Sequence, residues 1–317
     1  MKNFICLFIT LCFSLQSFSQ MKYSLNSGEN NALWYVKDYH KDDLSTKFFN
    51  ETEWIPATVP GTIFVDAVNA GLEKEPNFGD NIYQVDKDKY NKDHIYRLEF
   101  NVPENKDLAQ KRIWLNFDGI NRSGEIYLNN NLLGSLKGMM MRGRFDVTKL
   151  INKKGTNLLS VIVSLPNQRR HPEEKFANLA SPTYLSSAGW DWMPYVPGLN
   201  TGITDNVYLT FTQDVTLQDP WIRTKLHNRA EFAEVEISTE IENCSSRKVV
   251  VELSGVITPG NIKFRKELLL EADTAQTIIL DGRVIKELRI KEPRLWWPNG
   301  MGETNLYECK LAIAVNG

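Results

Sequence analysis

The chain has 317 residues, of which 42% are hydrophobic and 24% are charged, a composition typical of a soluble globular protein with a core. Its length corresponds to two domains of roughly 100–200 residues each. Acidic and basic residues nearly cancel, 39 against 37, so no basic stripe or acidic tail predicts a nucleic-acid partner.

The N-terminus has the pattern of a secretory signal peptide over residues 1–19. Lys2 supplies the positive charge, and residues 4–13 form an unbroken apolar run. Ser17 and Ser19 place small residues at the positions that a signal peptidase reads, with cleavage expected before Gln20. An apolar run of about ten residues is too short for a permanent membrane anchor, although a buried N-terminal strand or helix is an alternative. We therefore expect an exported protein, periplasmic or extracellular, with no membrane partner after cleavage.

The cysteines predict neither a lipid anchor nor a disulfide framework. Lipidation of Cys12 is disfavoured by the bulky Leu11 that precedes it. Only Cys244 and Cys309 follow the cleavage site, too few to staple a chain of this length. Cys309 alternates with apolar neighbours, so we expect it to face a core as a small hydrophobe. Whether the two cysteines pair is left open.

Alternation with a period of two dominates the first part of the chain after the leader and predicts half-buried strands. The alternating apolar residues are Tyr96, Leu98, Phe100 and Val102, then Ile113, Leu115 and Phe117, then Ile126 and Leu128, then Leu159, Val161, Val163 and Leu165, and finally Val207, Leu209 and Phe211. Turn signals separate these short strands, which favours a β-sandwich over a βαβ array.

One short helix is predicted between these strands. Thr62 can cap its first turn, and Gly71 can end it. One face of the helix is expected to hold Phe64, Ala67, Val68 and Leu72.

A second block of strands begins near Val215, after a boundary around Gln213 and Asp214. Residues 233–242 alternate strictly between apolar and polar, as in an antiparallel strand with one wet face. Further strands follow at residues 249–253, 277–280 and 307–315, which suggests an immunoglobulin-like sandwich. The final Asn316 and Gly317 form a strong hairpin-turn signal without a return strand, so we expect a truncated domain; a frayed C-terminus is the alternative.

Trp190, Asp191 and Trp192 form the most unusual local motif. The two indoles offer flat apolar faces for a pyranose ring, and the carboxylate between them can accept hydrogen bonds from sugar hydroxyls. The competing interpretation is that the indoles fill the core, but a loop aspartate buried with them would need a partner. We therefore predict that these three residues bind a sugar.

A second aromatic pair, Trp296 and Trp297, lies within residues 293–300 (PRLWWPNG). It is open to two interpretations. Paired tryptophans near the end of a domain more often pack against a neighbouring domain, and they can also serve as a sugar platform.

No other motif predicts catalysis, a cofactor or a metal. The histidines show no ligand spacing; they are His40, His94, His171 and His227. No nucleophile elbow, phosphate loop or dinucleotide fingerprint is present in the sequence. A retaining glycosidase needs two carboxyl groups about 5–5.5 Å apart. Asp191 is a candidate for one of them, and the sequence nominates no second.

The chain resembles the N-terminal region of glycoside hydrolase family 2, in the branch of β-mannosidases and exo-β-glucosaminidases. The resemblance covers nearly the whole mature chain. It is carried, in the family's order, by residues 54–61 (WIPATVPG), 75–81 (EPNFGDN), 117–120 (FDGI), 126–129 (IYLN), 190–192 (WDW), 200–203 (NTGI) and 295–298 (LWWP).

The resemblance implies an all-β chain with a jelly-roll sugar-binding-like domain at 20–214 and an immunoglobulin-like sandwich at 215–317. In the family a (β/α)₈ barrel of about 250 residues follows and carries both catalytic glutamates, so it implies no catalytic residue in this chain. It also implies that Trp190, Asp191 and Trp192 reach the barrel's active site and bind the terminal sugar.

The implied function is that of a non-catalytic part of an exported, retaining, exo-acting β-mannosidase. Its partners would be β-linked oligosaccharides or glycosides and a catalytic barrel in cis. The alternatives are specificity for glucosamine or galactose and a stand-alone carbohydrate-binding module with two sandwiches.

Two positions depart from the family pattern. Relatives often have arginine where Leu199 stands and tryptophan where Thr204 stands. Loss of a guanidinium and an indole so near the predicted site leaves the identity of the sugar open.

Overall fold

A computed structural model of the protein describes residues 21–45, 53–104, 111–165 and 196–316. The predicted signal peptide, residues 1–19, lies outside them. The chain forms two compact units, Met21–Gln213 and Asp214–Gly317. Nearly all regular structure in both units is antiparallel β-strand, which confirms the prediction of an all-β fold.

Ten strands and two short α-helices occur among the described residues of the first unit. In chain order they are β1 (Met21–Ser24), β2 (Trp34–Asp38), β3 (Ile55–Ala57), α1 (Ile63–Asn69), α2 (Asn81–Gln84), β4 (His94–Phe100), β5 (Arg112–Phe117), β6 (Ser123–Leu128), β7 (Asn131–Lys137), β8 (Gly143–Asp146), β9 (Asn157–Ser164) and β10 (Val207–Thr212). They build a six-stranded sheet in the order β3-β2-β4-β9-β6-β7 and a four-stranded sheet in the order β1-β10-β5-β8.

The alternating residues of both sheets meet in one core. Leu98 and Val161 of the six-stranded sheet are fully buried, as are Leu115 and Leu209 of the four-stranded sheet, and all four belong to the same apolar cluster. Period-two alternation places apolar side chains on one face of each sheet, and burying both faces together produces the sandwich.

Helix α1 differs in detail from its prediction. Thr62 takes the N-cap position but its side chain makes no capping hydrogen bond, and Leu72 is exposed instead of lying on the buried face. Gly71 follows the helix with a φ of 74°, in the left-handed region that favours glycine, so the predicted stop is correct. Asp66 is fully buried, although the sequence pattern did not place it on the apolar face of the helix.

Arg97 is the main exception to the alternation in β4. Its position in the pattern predicts a solvated side chain, but Arg97 is only 1% exposed. The guanidinium lies 5.1 Å from the ring centroid of Trp54 and donates a hydrogen bond to the carbonyl of Asp43. The outer face of the six-stranded sheet is therefore covered at this point by an aromatic ring and a 3₁₀ turn, Lys41–Ser45.

Residues 214–316, the described part of the second unit, form seven strands. They are β11 (Val215–His227), β12 (Phe232–Asn243), β13 (Val249–Thr258), β14 (Ile262–Leu270), β15 (Thr274–Leu280), β16 (Arg289–Lys291) and β17 (Glu308–Asn316). One sheet has the order β11-β12-β15, with β16 also pairing with β12, and the other has the order β14-β13-β17. Both sheets contribute to a separate core that includes Ile237, Ile241, Val251 and Leu253.

Cys309 lies partly buried against the core of the second unit, as its alternation predicted, and burial raises the pKa of its thiol. Cys244 and Cys309 do not form a disulfide. Strand β17 ends at Asn316, and Gly317 lies outside the described residues, so the hairpin turn at the C-terminus stays a prediction. No helix among the described residues is long and apolar enough to cross a membrane.

Candidate functional site

The predicted sugar-binding residues, Trp190, Asp191 and Trp192, lie outside the described residues. They belong to the stretch between Leu165 and Val196, and the structure describes the chain on both sides of that stretch. The candidate site can therefore be built from the two flanks and from the residues that fix them.

Both flanks are held by one short segment between the 3₁₀ turn Lys87–Lys89 and strand β4. The backbone N–H of Leu165 donates to Oδ1 of Asp93 at 3.1 Å, and the N–H of Gly198 donates to Oδ1 of Asn91 at 3.1 Å. Two side chains that are two residues apart thus fix the positions at which the chain leaves and rejoins the sandwich.

The C-terminal flank, residues 196–203, is called the anchor segment below. It contains three consecutive residues in the left-handed region, with φ of 70° at Gly198, 52° at Leu199 and 56° at Asn200. A leucine rarely adopts this conformation, and such strain persists only where the surroundings impose it. The side-chain amide of Asn121 does so here, since it donates to the carbonyl of Asn200 at 2.6 Å and to that of Leu199 at 3.3 Å.

Backbone pairing continues the anchor segment into the sandwich. Asn121 and Gly202 exchange two backbone hydrogen bonds of 2.8 and 2.9 Å. On the other side, the N–H of Ile63 donates to Thr201 at 2.9 Å and the N–H of Gly61 donates to Ile203 at 2.8 Å. The anchor segment is therefore bonded on both sides, to the loop before β6 and to the start of α1.

Gly202 is required by the closeness of this packing. A Cβ atom at Gly202 would lie 2.4 Å from the carbonyl oxygen of Gly61 and 2.8 Å from the Cα of Thr62. Only a residue without a side chain allows these two backbone segments to approach so closely.

The apolar side of the anchor segment is formed by α1 and Tyr90. A Cβ atom at Gly198 would lie 3.1 Å from Ile63 and 3.3 Å from Tyr90, so both side chains pack on its backbone. Tyr90 also meets Phe64 edge to face, with centroids 5.5 Å apart, and its hydroxyl donates to Glu73 at 2.7 Å. Burial, followed by the bond to Glu73, raises the pKa of Tyr90 to about 12, so its hydroxyl stays protonated.

Asp66 lies on the buried side of α1, the helix whose start is bonded to the anchor segment. Its Oδ1 accepts a hydrogen bond from the N–H of Thr58 at 2.7 Å, which ties the helix to the end of β3. Burial raises the pKa of Asp66 to about 7, because the hydrogen bonds that favour the charged form do not offset the loss of water. Burial, followed by the charge of the Asp66 carboxylate, raises the pKa of the fully buried Tyr96.

Asp38 and His94 lie on the neighbouring strands β2 and β4, next to the segment that holds the flanks. Nε2 of the buried His94 is 3.5 Å from Oδ1 of Asp38, and Nζ of Lys92 is 2.8 Å from Oδ2. The bond to His94, followed by that to Lys92, lowers the pKa of Asp38 to about 2 in spite of partial burial. Asp38 is therefore a carboxylate throughout the physiological range.

The side chains that fix the two flanks act by holding backbone positions. The groups that fix the flanks are amides, carbonyls and one carboxylate that already accepts a backbone hydrogen bond. No cluster of three or more metal-ligating side chains occurs in the part of the chain that the structure describes. The arrangement is suited to present the stretch between Leu165 and Val196 from a fixed base.

Sequence reasoning did not identify Asn91, Asp93 or Asn121 as part of the site. The one available signal was the run Asn200, Thr201, Gly202 and Ile203, which was singled out with the tryptophan motif and which supplies most of the anchor's backbone contacts. Leu199, one of the two departures from the family pattern, is buried at 2% exposure, so its side chain is not presented to solvent.

Two family models match the chain in series. Residues 34–205 match the glycosyl hydrolase 2 galactose-binding domain-like family, and residues 215–317 match glycosyl hydrolases family 2. Together they cover most of the first unit and nearly all of the second.

Curated relatives and a solved structure also show that the chain is similar to glycosidases. The chain is 30% identical to a mannosylglycoprotein endo-beta-mannosidase of Lilium longiflorum over 83% of this chain and 29% of the relative. It is 24% identical to an exo-beta-D-glucosaminidase of Streptomyces avermitilis, over 86% of this chain and 28% of that protein. The crystal structure of a beta-D-mannosidase from Dictyoglomus thermophilum superposes with a TM-score of 0.70 and 26% identity, over 93% of this chain and 34% of that one.

The chain thus spans only about a third of the length of the relatives it matches. The matched portion lies in the N-terminal part of those proteins.

Proposed function

Because this chain belongs to glycosyl hydrolase family 2, we propose that it is the N-terminal, non-catalytic part of an exported β-glycosidase that hydrolyses terminal β-linked sugars with retention. The observation that carries the proposal is the serial match of both sandwich units to the family, in a chain about a third as long as its relatives. The hydrolysis itself is assigned to a catalytic barrel in cis, beyond residue 317.

Within this proposal, Trp190, Asp191 and Trp192 form one wall of the substrate pocket. The indoles stack on the apolar face of the terminal sugar, and the carboxylate of Asp191 accepts hydrogen bonds from its hydroxyls. The rigid flanks support this role, because a wall that must meet a second domain needs a fixed base. Asn91 and Asp93 provide that base through their bonds to Gly198 and Leu165.

β-Mannosides are the proposed substrates, since relatives named beta-mannosidase occur among both the curated proteins and the solved structures. β-Glucosaminides are the second candidate, because exo-beta-D-glucosaminidases also match over most of this chain. Both substrate classes have an equatorial glycosidic bond, and they differ at the 2-position of the sugar.

The test is to read the gene past codon 317 and to assay its complete product on a panel of aryl β-glycosides. We expect hydrolysis of the β-mannoside, with KM raised at least tenfold by Asp191→Ala and by Trp190→Ala, and no hydrolysis by the 317-residue chain alone. A stop codon with no barrel sequence downstream would refute the proposal. So would a complete product that cleaves no member of the panel.

A stand-alone binding module makes the opposite prediction for the isolated chain. It requires measurable affinity of the 317 residues for β-mannosides or chitosan fragments in calorimetry, lost on Trp190→Ala. Under the proposal the isolated chain carries only one wall of the pocket, and calorimetry shows no binding.

A further inference from the structure

The outer face of the sheet β14-β13-β17 contains a cavity with a volume of about 650 Å³. Because side chains alternate between the two faces of a strand, the residues that share this face are spaced by two along each strand. Six of them, called the trough below, are Ser254 and Val256 of β13, Lys263 and Arg265 of β14, and Lys310 and Ala312 of β17.

The strand register sets the width of the trough. Lys263 and Lys310 both lie opposite Val256 of the middle strand. Neighbouring strands are about 4.8 Å apart, so the backbones of the two lysines are separated by about 10 Å. Ser254 and Ala312, which are paired with each other one step along this face, have side chains too small to fill the space. The trough therefore has a low floor between two high rims.

The rims of the trough are basic. Lys263 and Arg265 are exposed and form no ion pair with another described residue. Lys310 lies 3.5 Å from Glu308, and both side chains are exposed, so this pair holds the lysine weakly. An adjoining cavity of about 530 Å³ shares Lys263 and Arg265 and adds Lys286. Positive charge thus surrounds the trough and continues beyond β14.

Protection of the sheet edge is the competing explanation for these charges. β14 and β17 are the outer strands of this sheet, and charged side chains on such strands prevent pairing with another molecule. Lys286 lies on the 3₁₀ turn Lys286–Leu288, outside the sheet, so edge protection does not explain it. Nor does edge protection require the small Ser254 and Ala312 between the rims.

The basic character is local to the trough. The whole chain has a net charge of −2. Glu252 and Glu287 line the two cavities as well, but the basic residues there outnumber them. The central strand of the other sheet instead turns acidic side chains outward: Glu234, Glu236, Glu240 and Glu242. Such segregation of charge produces a local field that attracts an anion to the trough.

We propose that the trough binds an anionic saccharide. The sugar ring rests on the floor of Ser254 and Ala312, and its carboxylate or sulfate group is held by Lys263, Arg265 and Lys310. The long basic side chains can converge over the floor while their stems lie along it, and the guanidinium can hold an anionic group by two parallel bonds. A saccharide is the favoured class of anion because the chain belongs to a glycosyl hydrolase family.

Nucleic acid fits the trough less well than a saccharide. Binding of single strands relies on exposed aromatic rings that stack on bases. Phe264, the aromatic residue along this cavity, is buried in the core and packs its ring against Gly255. The proposal concerns a binding surface within the second unit and goes beyond the proposed function, because it requires no hydrolysis.

The test measures binding to the 317-residue chain by calorimetry at low salt. The probes are trigalacturonate, a sulfated chondroitin tetrasaccharide and the neutral mannotriose. We expect both anionic probes to bind, mannotriose not to bind, and the affinity to fall when the ionic strength is raised to about 1 M, where the Debye length is about 3 Å. Carboxylate and sulfate are distinguished by which anionic probe binds more tightly.

Two double variants test the role of the rims. Lys263→Gln with Arg265→Gln should weaken binding of the anionic probes about tenfold, because two charge-assisted contacts are lost. Lys225→Gln with Lys248→Gln removes the same charge from other exposed positions of the second unit and should leave the affinity unchanged. Thermal unfolding checks that all variants are folded.

Ala312→Leu tests the shape of the trough without changing its charge. The larger side chain should fill the floor and weaken binding of both anionic probes about tenfold, since the sugar ring loses its place. Ala275→Leu, on the outer face of the other sheet, is the matched control and should have no effect.

Four results would overturn the proposal. They are failure of both anionic probes to bind, equal losses in the two double variants, unchanged affinity in Ala312→Leu, and binding of duplex DNA as tight as that of trigalacturonate. The last result would make the trough a general polyanion surface. Because hydrolysis is not measured, failure here leaves the proposed function standing, and an inactive complete product leaves the trough standing.

Discussion

Asn121 and Gly202 exchange two backbone hydrogen bonds. The side-chain amide of Asn121 also donates to the carbonyls of Leu199 and Asn200, which precede Thr201. One asparagine thereby holds a run of left-handed backbone that would otherwise be unfavourable at Leu199.

Asn121→Ala should destabilise the first unit by about 1–3 kcal/mol, because the carbonyls of Leu199 and Asn200 lose their donor in a buried site. Chemical denaturation measures the loss, and hydrogen exchange at Thr201 and Gly202 should accelerate at least tenfold. Asn121→Asp should be more damaging still, since a carboxylate would face two carbonyl oxygens.

Asn116 provides the control for this experiment. It is also a buried asparagine, and its amide donates to Thr210 at 3.0 Å and to the backbone of β5 and β10. Asn116→Ala should lower stability by a similar amount without accelerating exchange in the anchor segment. Equal acceleration in both variants would mean that Asn121 acts only through global stability.

The stability of the first unit should fall between about pH 4 and pH 7 because of Asp66. The pKa of this carboxyl rises from 3.8 in its unperturbed state to about 7 in the folded protein. The folded state therefore binds more protons than the unfolded state in this window, and its free energy of unfolding decreases as the pH rises, by an upper limit of about 4 kcal/mol. Asp66→Asn, which keeps an acceptor for Thr58, should remove this slope in urea titrations and stabilise the unit at pH 8.

Asp38 should behave in the opposite way and serves as the comparison. Its folded pKa of about 2 lies below the unperturbed 3.8, so its contribution is fully present above pH 4 and is lost as the pH falls toward 2. Asp38→Asn should leave the slope between pH 4 and pH 7 intact. If Asp66→Asn and Asp38→Asn flatten that slope equally, the assignment to Asp66 is wrong.

Gly202→Ala should destabilise the first unit by about 1–3 kcal/mol, because the new methyl group would overlap the backbone of Gly61 and Thr62. Both backbones are held by hydrogen bonds and have no room to retreat. Gly155→Ala is a suitable control, since its methyl group would meet the amide end of Asn152, which can rotate away. Thermal unfolding of the two variants should differ clearly, and indistinguishable Tm values would contradict the steric argument.

Gly255→Ala should affect the second unit in the same way. A Cβ atom at Gly255 would lie 2.1 Å from Cζ of Phe264, which belongs to the core and covers this glycine from the paired strand β14. We expect a loss of about 1–3 kcal/mol in denaturant unfolding, partly restored by a second substitution, Phe264→Leu. The adjacent Ser254→Ala, on the other face of β13, should cost little. A failure of Phe264→Leu to compensate would show that the ring is not the obstacle.

The strands of both sandwiches were predictable because alternation reports directly which face is buried. Leu98, Leu115, Val161 and Leu209 entered the core as their spacing indicates. Arg97 and Asp66 did not follow the pattern, because their burial depends on partners distant in sequence: Trp54 and Asp43 for the arginine, and the end of β3 for the aspartate.

The candidate site was predictable only as a sequence motif. Trp190, Asp191 and Trp192 were identified by composition, but their supports are two asparagines and an aspartate in loops, residue types that occur in most turns. Asn91, Asp93 and Asn121 gain their roles from three-dimensional proximity to the flanks, which no local pattern records. Trp296 and Trp297 were likewise recognisable as a pair in the sequence, but the sequence did not show that both are exposed.

The hydrogen bonds that Gly198 donates to Asn91 and that Leu165 donates to Asp93 have an evolutionary consequence. Asn91 and Asp93 hold both ends of the stretch between Leu165 and Val196. A stretch of different length can therefore replace it without changing the hydrogen bonds at its two ends. The entropic cost of such an exchange grows slowly, by about 0.6 kcal/mol for each doubling of length. Under the proposed function, the sandwich is a constant frame on which replacement of this loop changes substrate selectivity.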